Sequence, residues 1–129
     1  MSEAMILVVE DNPRNLKLIR DVLDFAGFEV VAASSAEEGL AIALERPPDL
    51  VLMDLQLPGI DGTEALRRLR GSPLTESVPV VAVTASAMKD DRERALIAGF
   101  DGYLEKPISV RALPTQVRGF LPTGEVSRD

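Results

Sequence analysis

Leu50-Val51-Leu52-Met53-Asp54-Leu55-Gln56-Leu57-Pro58-Gly59 is the stretch on which the reading of this chain turns. Four apolar residues run into a carboxylate, and Pro58-Gly59 then breaks the run. A short apolar run bounded by polar and turn residues predicts a strand buried on both faces, as in a parallel sheet. Asp54 then stands at the carboxyl end of that strand. In open α/β sheets ligands bind beyond the carboxyl ends of the strands, where the strand order reverses, so an acid at this place is a candidate functional group.

The same pattern recurs on both sides of Asp54. Met5-Ile6-Leu7-Val8-Val9 predicts a buried strand that ends in Glu10-Asp11, and Asn12-Pro13 is a helix-start signal. Leu16, Ile19, Val22 and Leu23 then repeat at helical spacing until Gly27 stops the helix. Glu29 to Ala33 is a second strand. Ser35-Ala36-Glu37-Glu38 fits a capping box, with Leu40, Ala43 and Leu44 expected on one inward face before Pro47-Pro48. After the strand bearing Asp54, a helix from about Asp61 to Arg70 turns Ala65, Leu66 and Leu69 inward and ends at Gly71-Ser72-Pro73. Val80 to Val83 is a fourth buried strand with Thr84 at its carboxyl end. A helix from about Lys89 to Ala98 is closed by Gly99, and Tyr103-Leu104-Glu105 is a short fifth strand. The last helix carries Leu113, Val117, Phe120 and Leu121 on one face; Pro114 removes an amide donor there and predicts a late or loosened start. Five strands alternating with five helices imply βαβ crossovers and a doubly wound parallel sheet covered on both faces.

Length and composition narrow the function. A chain of 129 residues is about one domain. We expect a single unit over 1–121 and a short polar tail over 122–129, with no room for a DNA-binding or other output module. There are no cysteines and no histidines. Thiol catalysis, disulfides, serine–histidine machinery and imidazole or thiolate metal sites are therefore excluded, and the chain cannot itself carry a phosphohistidine. The net charge of −7 disfavours nonspecific nucleic-acid or anionic-membrane binding. The apolar run Met5 to Val9 is far too short for a signal peptide core or a membrane span, so the expected location is the cytoplasm.

What remains is carboxylate, hydroxyl and lysine chemistry. If the first and third strands are neighbours, Glu10, Asp11 and Asp54 converge at one switch point. Their mutual repulsion is relieved by a hard divalent cation, and an all-oxygen site suits Mg²⁺. Lys106, followed by Pro107, adds a positive charge beyond the fifth strand, and Thr84 adds a hydroxyl at the end of the fourth. Together these parts suit phosphoryl transfer: a carboxylate attacks in line, Mg²⁺ and an ammonium neutralise the phosphoryl oxygens, and a hydroxyl holds the product. Asp54 is the expected nucleophile and Asp11 the expected metal ligand, with Glu10 and the Gln56 backbone carbonyl beside it. Singly, each residue has an ordinary role: Asp11 before Asn-Pro as a helix-start acid, Asp54 as a turn cap, Thr84 as a strand residue, Lys106 as a surface lysine. The case rests on four strand ends supplying complementary chemistry. Arg67, Arg68 and Arg70 are expected to be a solvated helix face, and the mixed-sign run Lys89 to Arg94 an ordinary helix start.

Val8-Val9-Glu10-Asp11-Asn12, Leu52 to Gly62, Val83-Thr84-Ala85 and Tyr103-Leu104-Glu105-Lys106-Pro107 together resemble the receiver domain of bacterial two-component response regulators. The resemblance implies a flavodoxin-like fold with strand order 2-1-3-4-5, and phosphorylation of Asp54 by a histidine kinase or histidine phosphotransfer protein. It implies Mg²⁺ held by Asp11, Asp54 and the Gln56 backbone carbonyl with Glu10 assisting, and a phosphoryl group bound by Lys106 and Thr84. It further implies Tyr103 as an aromatic switch acting with Thr84, a cis peptide before Pro107, and a downstream protein target at the face of the fourth helix, fifth strand and fifth helix. Gln56 and Ser86 hold the places that tune acyl-phosphate lifetime in that family. Such a protein is not an enzyme beyond its own phosphorylation and dephosphorylation. A narrower likeness, over Val80 to Lys89 and Lys106 to Val110, is to stand-alone receivers that regulate cell division; receivers of hybrid-kinase phosphorelays share these stretches. An aspartyl-phosphate phosphatase of the haloacid dehalogenase type is a less favoured alternative, because Glu10-Asp11-Asn12-Pro13 lacks the Asp-x-Asp loop that class needs.

Overall fold

The computed structural model describes residues 4–57, 62–85 and 89–121. In chain order it contains β1 (Met5–Val9), α1 (Pro13–Phe25), β2 (Glu29–Ala33), α2 (Ala36–Glu45), β3 (Leu50–Asp54), α3 (Gly62–Arg70), β4 (Val80–Thr84), α4 (Lys89–Ala98), β5 (Gly102–Glu105) and α5 (Leu113–Phe120). The expected Pro58-Gly59 break, Asp61 at the start of the third helix, Ser86 and the 122–129 tail lie outside the described residues.

All strand pairs are parallel and the order is β2-β1-β3-β4-β5. The doubly wound, flavodoxin-like sheet expected from the sequence is therefore present. Every residue of β1, β3 and β4 is buried, because these central strands are covered on both faces. Alternate residues point to opposite faces. Leu7, Val9, Val51, Met53, Val80 and Ala82 form one core with Leu40 and Ala43 of α2, Ala65, Leu66 and Leu69 of α3, and Ala95 of α4. Ile6, Val8, Leu50, Leu52, Val81 and Val83 form the other with Ile19 and Leu23 of α1, Phe28, and Leu113 and Val117 of α5. Burial of this kind is worth about 25 cal/mol per Å² of apolar surface and supplies most of the driving force for the fold.

After β2 the chain returns to the other side of β1, so the strand order reverses between β1 and β3. Loops leaving these two strands turn in opposite directions and leave a crevice at their carboxyl ends. Glu10 and Asp54 occupy its two sides.

Helix ends follow local chemistry. Asn12 Oδ1 accepts hydrogen bonds from the amides of Arg14 (2.9 Å) and Asn15 (3.2 Å). Ser35 Oγ accepts from the Glu38 amide (3.1 Å) while Glu38 Oε1 accepts from the Ser34 amide (2.8 Å). Gly27 and Gly99 close α1 and α4 with φ of 101° and 112°, where a side chain would be strained.

Two expectations change. Leu44 is 42% exposed rather than inward, because α2 turns Ala36, Gly39, Leu40 and Ala43 to the sheet and a helix this close to β1 has no room for a wider apolar stripe. A Cβ on Gly39 would lie 2.7 Å from Val9 Cγ2. The fifth strand begins at Gly102, one residue earlier than expected, through its register with Val81. The last helix begins late, as Pro114 predicts: it starts at Leu113, which puts Pro114 in its first turn, where amides have no helical acceptor. Ser109 prepares that start: its carbonyl accepts from the Leu113 amide (2.9 Å) and its Oγ from the Ala112 amide (3.1 Å).

Candidate functional site

The carboxyl ends of β1, β3, β4 and β5 meet at the crevice. Glu10 is fixed there because its amide donates to Ala33 O (3.0 Å), continuing the β1–β2 ladder one residue beyond the strand. Glu10 is 1% exposed, and its Oε2 accepts from the Asn12 amide (3.1 Å). Asp11 is exposed. Asp54, the last residue of β3, is 3% exposed; its Oδ1 accepts from the Gln56 amide (2.9 Å) and its Oδ2 from Lys106 Nζ (3.1 Å). The register pairs Asp54 with Val83, and the Leu55 amide donates to Val83 O (3.1 Å), so the carboxylate cannot drift relative to β4.

Lys106 follows β5. Its amide donates to Thr84 O (2.8 Å), and the Lys106–Pro107 peptide is cis, as the resemblance implied. Its ammonium therefore reaches across β4 to β3 and β1, standing 3.1 Å from Asp54 Oδ2 and 2.9 Å from Glu10 Oε1. The Glu10 contact is an ion pair without hydrogen-bond alignment. Thr84, at the end of β4, is nearly buried. Tyr103 is half-buried on β5 two register positions below it, opposite Ala82.

The electrostatics follow from this packing. Burial pushes the Glu10 carboxyl above the ordinary glutamate value, and the Asp54 charge pushes the same way, against lowering by Lys106 and the Asn12 amide. For Lys106 burial favours the neutral amine, but the carboxylates of Glu10 and Asp54 outweigh it and the net shift is upward. One ammonium pairs with two of the three carboxylates at the crevice. Glu10, Asp11 and Asp54 can each offer one oxygen such that all lie within 4.8 Å of one another. That donor set is hard and all-oxygen, and one of its atoms, Glu10 Oε1, has no aligned hydrogen-bond donor, so the residues fit a small divalent cation.

Close packing sets the height of this site. A Cβ on Gly62 would lie 3.2 Å from Asp54 O and 3.0 Å from Leu55 Cδ2, so the absence of a side chain lets α3 start directly against the residue that bears the acid.

The structure thus brings together Glu10, Asp11, Asp54 and Lys106, with Thr84 at the adjoining strand end. Two features escape the sequence reading. Arg70 is not a solvated charge: Nη1 donates to Val78 O (2.6 Å) and Glu76 O (3.3 Å), and Nη2 to Asp101 Oδ2 (2.7 Å) and Gly99 O (3.3 Å). Asp101 Oδ2 also accepts from the Val80 amide (2.7 Å), so this arginine ties the ends of α3 and α4 to the starts of β4 and β5. Arg67 and Arg68 do stay at the surface, paired with Glu64. The second feature is Arg92, which bonds to Tyr103 Oη. Nothing in the spacing of either arginine marks it, since their acceptors lie far along the chain or on another element.

No helix among the described residues is long and apolar enough to cross a membrane. A profile of the response regulator receiver domain matches residues 6–118. The chain is 41% identical over 116 residues to the polar-differentiation response regulator DivK of Brucella ovis, covering 90% of this chain and 94% of that protein, and 40% identical to DivK of Brucella anthropi over the same shares. Among solved structures, the chemotaxis response regulator CheY4 of Vibrio cholerae is similar in fold, with a TM-score of 0.88 at 24% identity over 93% of this chain and 100% of that one. The receiver domain of a sensor histidine kinase from Pseudomonas aeruginosa, with a magnesium ion coordinated in its active site cleft, is similar at a TM-score of 0.86 and 34% identity, covering 95% of this chain and 100% of that one.

Proposed function

The chain belongs to the response regulator receiver family, and from that premise we propose that it takes a phosphoryl group on Asp54 and signals by phosphorylation-dependent protein binding in the cytoplasm. The donor is a histidine kinase or a histidine phosphotransfer protein. The observation that carries this reading is the buried Asp54 carboxylate, held 3.1 Å from Lys106 Nζ beside two further carboxylates.

An oxygen of Asp54 attacks the phosphorus of a phosphohistidine; the new P–O bond forms as the P–N bond breaks, and the donor imidazole leaves with the electron pair. Glu10, Asp11, Asp54 and the Gln56 backbone carbonyl would hold Mg²⁺, which would supply charge neutralisation for the phosphoryl oxygens. Lys106 holds a second positive charge at the same place, and its salt bridges keep the side chain extended toward Asp54. The Thr84 hydroxyl receives a phosphoryl oxygen once the group is attached. Catalysis by the chain is confined to this transfer and to hydrolysis of its own acyl phosphate.

The added phosphoryl group brings roughly −1.5 to −2 charges and new acceptor oxygens to Asp54. Thr84 moves toward them, Tyr103 turns into the space that Thr84 leaves, and the α4–β5–α5 face changes for a downstream partner, with the Lys106–Pro107 segment anchoring the loop below it. DivK, a response regulator by name, supports the stand-alone form of this reading. The likeness to a receiver domain of a sensor histidine kinase supports a second form, a phosphorelay receiver, in which the same chemistry at Asp54 serves a different pair of partners.

The test is intact-protein mass after incubation with acetyl phosphate, with and without Mg²⁺, on the wild type and Asp54→Ala. Gain of one phosphoryl group that needs both Mg²⁺ and Asp54 is expected. Gain by Asp54→Ala, or a metal-independent gain, would overturn the assignment.

A further inference from the structure

The outer edge of α4 carries a contact that phosphoryl transfer itself does not use. Arg92 Nη1 donates a 2.7 Å hydrogen bond to Tyr103 Oη, and its guanidinium carbon lies 5.5 Å from the centroid of the same ring. One cation thus engages both the edge and the face of one aromatic side chain. Tyr103 pairs with Ala82 of β4, so it shares a sheet face with Ala82 and, two residues on, with Thr84. Among the described residues, α4 side chains border at least two cavities. The outer one, about 350 Å³, is bordered by Arg92, Glu93, Leu96 and Tyr103. The inner one, about 370 Å³, is bordered by Thr84, Thr63, Ala95 and Phe100 among others. The ring stands at the outer cavity and the hydroxyl of Thr84 at the inner one.

We propose that Arg92 is a latch on Tyr103: it holds the ring at the outer cavity, and the contact has to open before the ring can turn toward Thr84. The proposal rests on the reading of Tyr103 as the element that couples Asp54 to the α4–β5–α5 face. Arg92 acts through Tyr103 and is a positioning residue. A ring that has turned inward carries its hydroxyl away from a guanidinium anchored on the outer face of α4, so the contact belongs to one state only. A contact made in one state biases the equilibrium by its whole worth. An exposed hydrogen bond with a cation–π contact corresponds to about 3- to 10-fold in the population of the turned state.

Tyr103 is the chain's single tyrosine and there is no tryptophan, so intrinsic fluorescence reports this ring alone. The experiment measures Tyr103 emission and its quenching by acrylamide in the full chain, for the wild type, Arg92→Gln and Arg92→Lys, before and after acetyl phosphate with Mg²⁺. Intact mass is recorded on the same samples. Unphosphorylated Arg92→Gln is expected to move toward the values of the phosphorylated wild type, and Arg92→Lys, which keeps a cation and a donor, to stay closer to the unphosphorylated wild type. Unchanged emission and quenching in Arg92→Gln overturn the latch, as does a change away from the phosphorylated values. The mass keeps the two ideas apart. A wild type that gains no phosphoryl group sinks the receiver chemistry at Asp54, whereas a wild type that gains one with Arg92→Gln indistinguishable from it sinks the latch alone.

Discussion

Replacing Lys106 by Ala leaves Glu10 and Asp54 facing each other without their shared counter-charge. The lysine side chain is 17% exposed, and those of Glu10 and Asp54 are 2% and 4% exposed. At about 3 Å and an effective dielectric near 20, each contact is worth roughly 5 kcal/mol before desolvation. Removing one partner of a buried pair costs about 3–5 kcal/mol, since the other charge stays buried and uncompensated. Here the crevice is open on the side of the exposed Asp11, and Glu10 can respond by taking up a proton, so the cost falls just below that range: about 2–3 kcal/mol in metal-free protein. For a domain of this size that lowers Tm by roughly 10 °C. A divalent cation restores the missing positive charge, so Mg²⁺ should stabilise Lys106→Ala by more than it stabilises the wild type. Urea and thermal unfolding in chelator and in excess Mg²⁺ measure both quantities. A variant within about 0.5 kcal/mol of the wild type in chelator, or one that gains no more from Mg²⁺ than the wild type does, would refute the view that Lys106 is the counter-ion of this acidic cluster.

Burial raises the Glu10 pKa above the ordinary glutamate value of 4.5, so the folded protein binds this proton more tightly than the unfolded chain. Its contribution to metal-free stability therefore falls as pH rises from 4.5 through the raised value, and Glu10→Gln should flatten that part of the stability curve; Mg²⁺ affinity, which needs the carboxylate, should weaken as pH falls through the same window, as calorimetric titration would show. Arg70→Ala removes a fork that serves four acceptors, partly in solvent, and is expected to cost about 2–3 kcal/mol by urea unfolding. Arg70→Lys should recover little of this, because an ammonium cannot span acceptors in both the loop before β4 and the loop between α4 and β5; full recovery would show that charge alone matters. Gly39→Ala gains up to about 1 kcal/mol of helix propensity but sets a methyl 2.7 Å from Val9 Cγ2, where overpacking costs about 1–3 kcal/mol, so net destabilisation is expected and a raised Tm would contradict the close packing of α2 on β1.

Much of the fold was legible because burial leaves a direct trace in residue order. Met5 to Val9, Leu50 to Met53 and Val80 to Val83 are apolar without interruption, and only a strand covered on both faces permits that. Asn12, Ser35, Gly27 and Gly99 act on amides and dihedrals within a few residues, so their effects can be read locally. Glu10, Asp11, Asp54, Thr84 and Lys106 were recognisable as strand-end groups for the same reason. Leu44 was misplaced because helical spacing alone does not tell how wide an apolar stripe the sheet beneath it can take.

Taken alone, the order of residues determined which segments become strands and helices, where each ends, and which side chains stand at the carboxyl edge, since these depend on periodicity, capping and turn chemistry over a few residues. Tertiary structure alone decided the distances at that edge: Lys106 at 2.9 Å from Glu10 and 3.1 Å from Asp54, 96 and 52 residues away along the chain. It alone turned Arg70 from a surface charge into a tie among four elements and set Arg92 on Tyr103. These contacts join groups on different strands and helices, and their geometry exists only once the sheet order and the packing of the helices on it have brought those elements side by side.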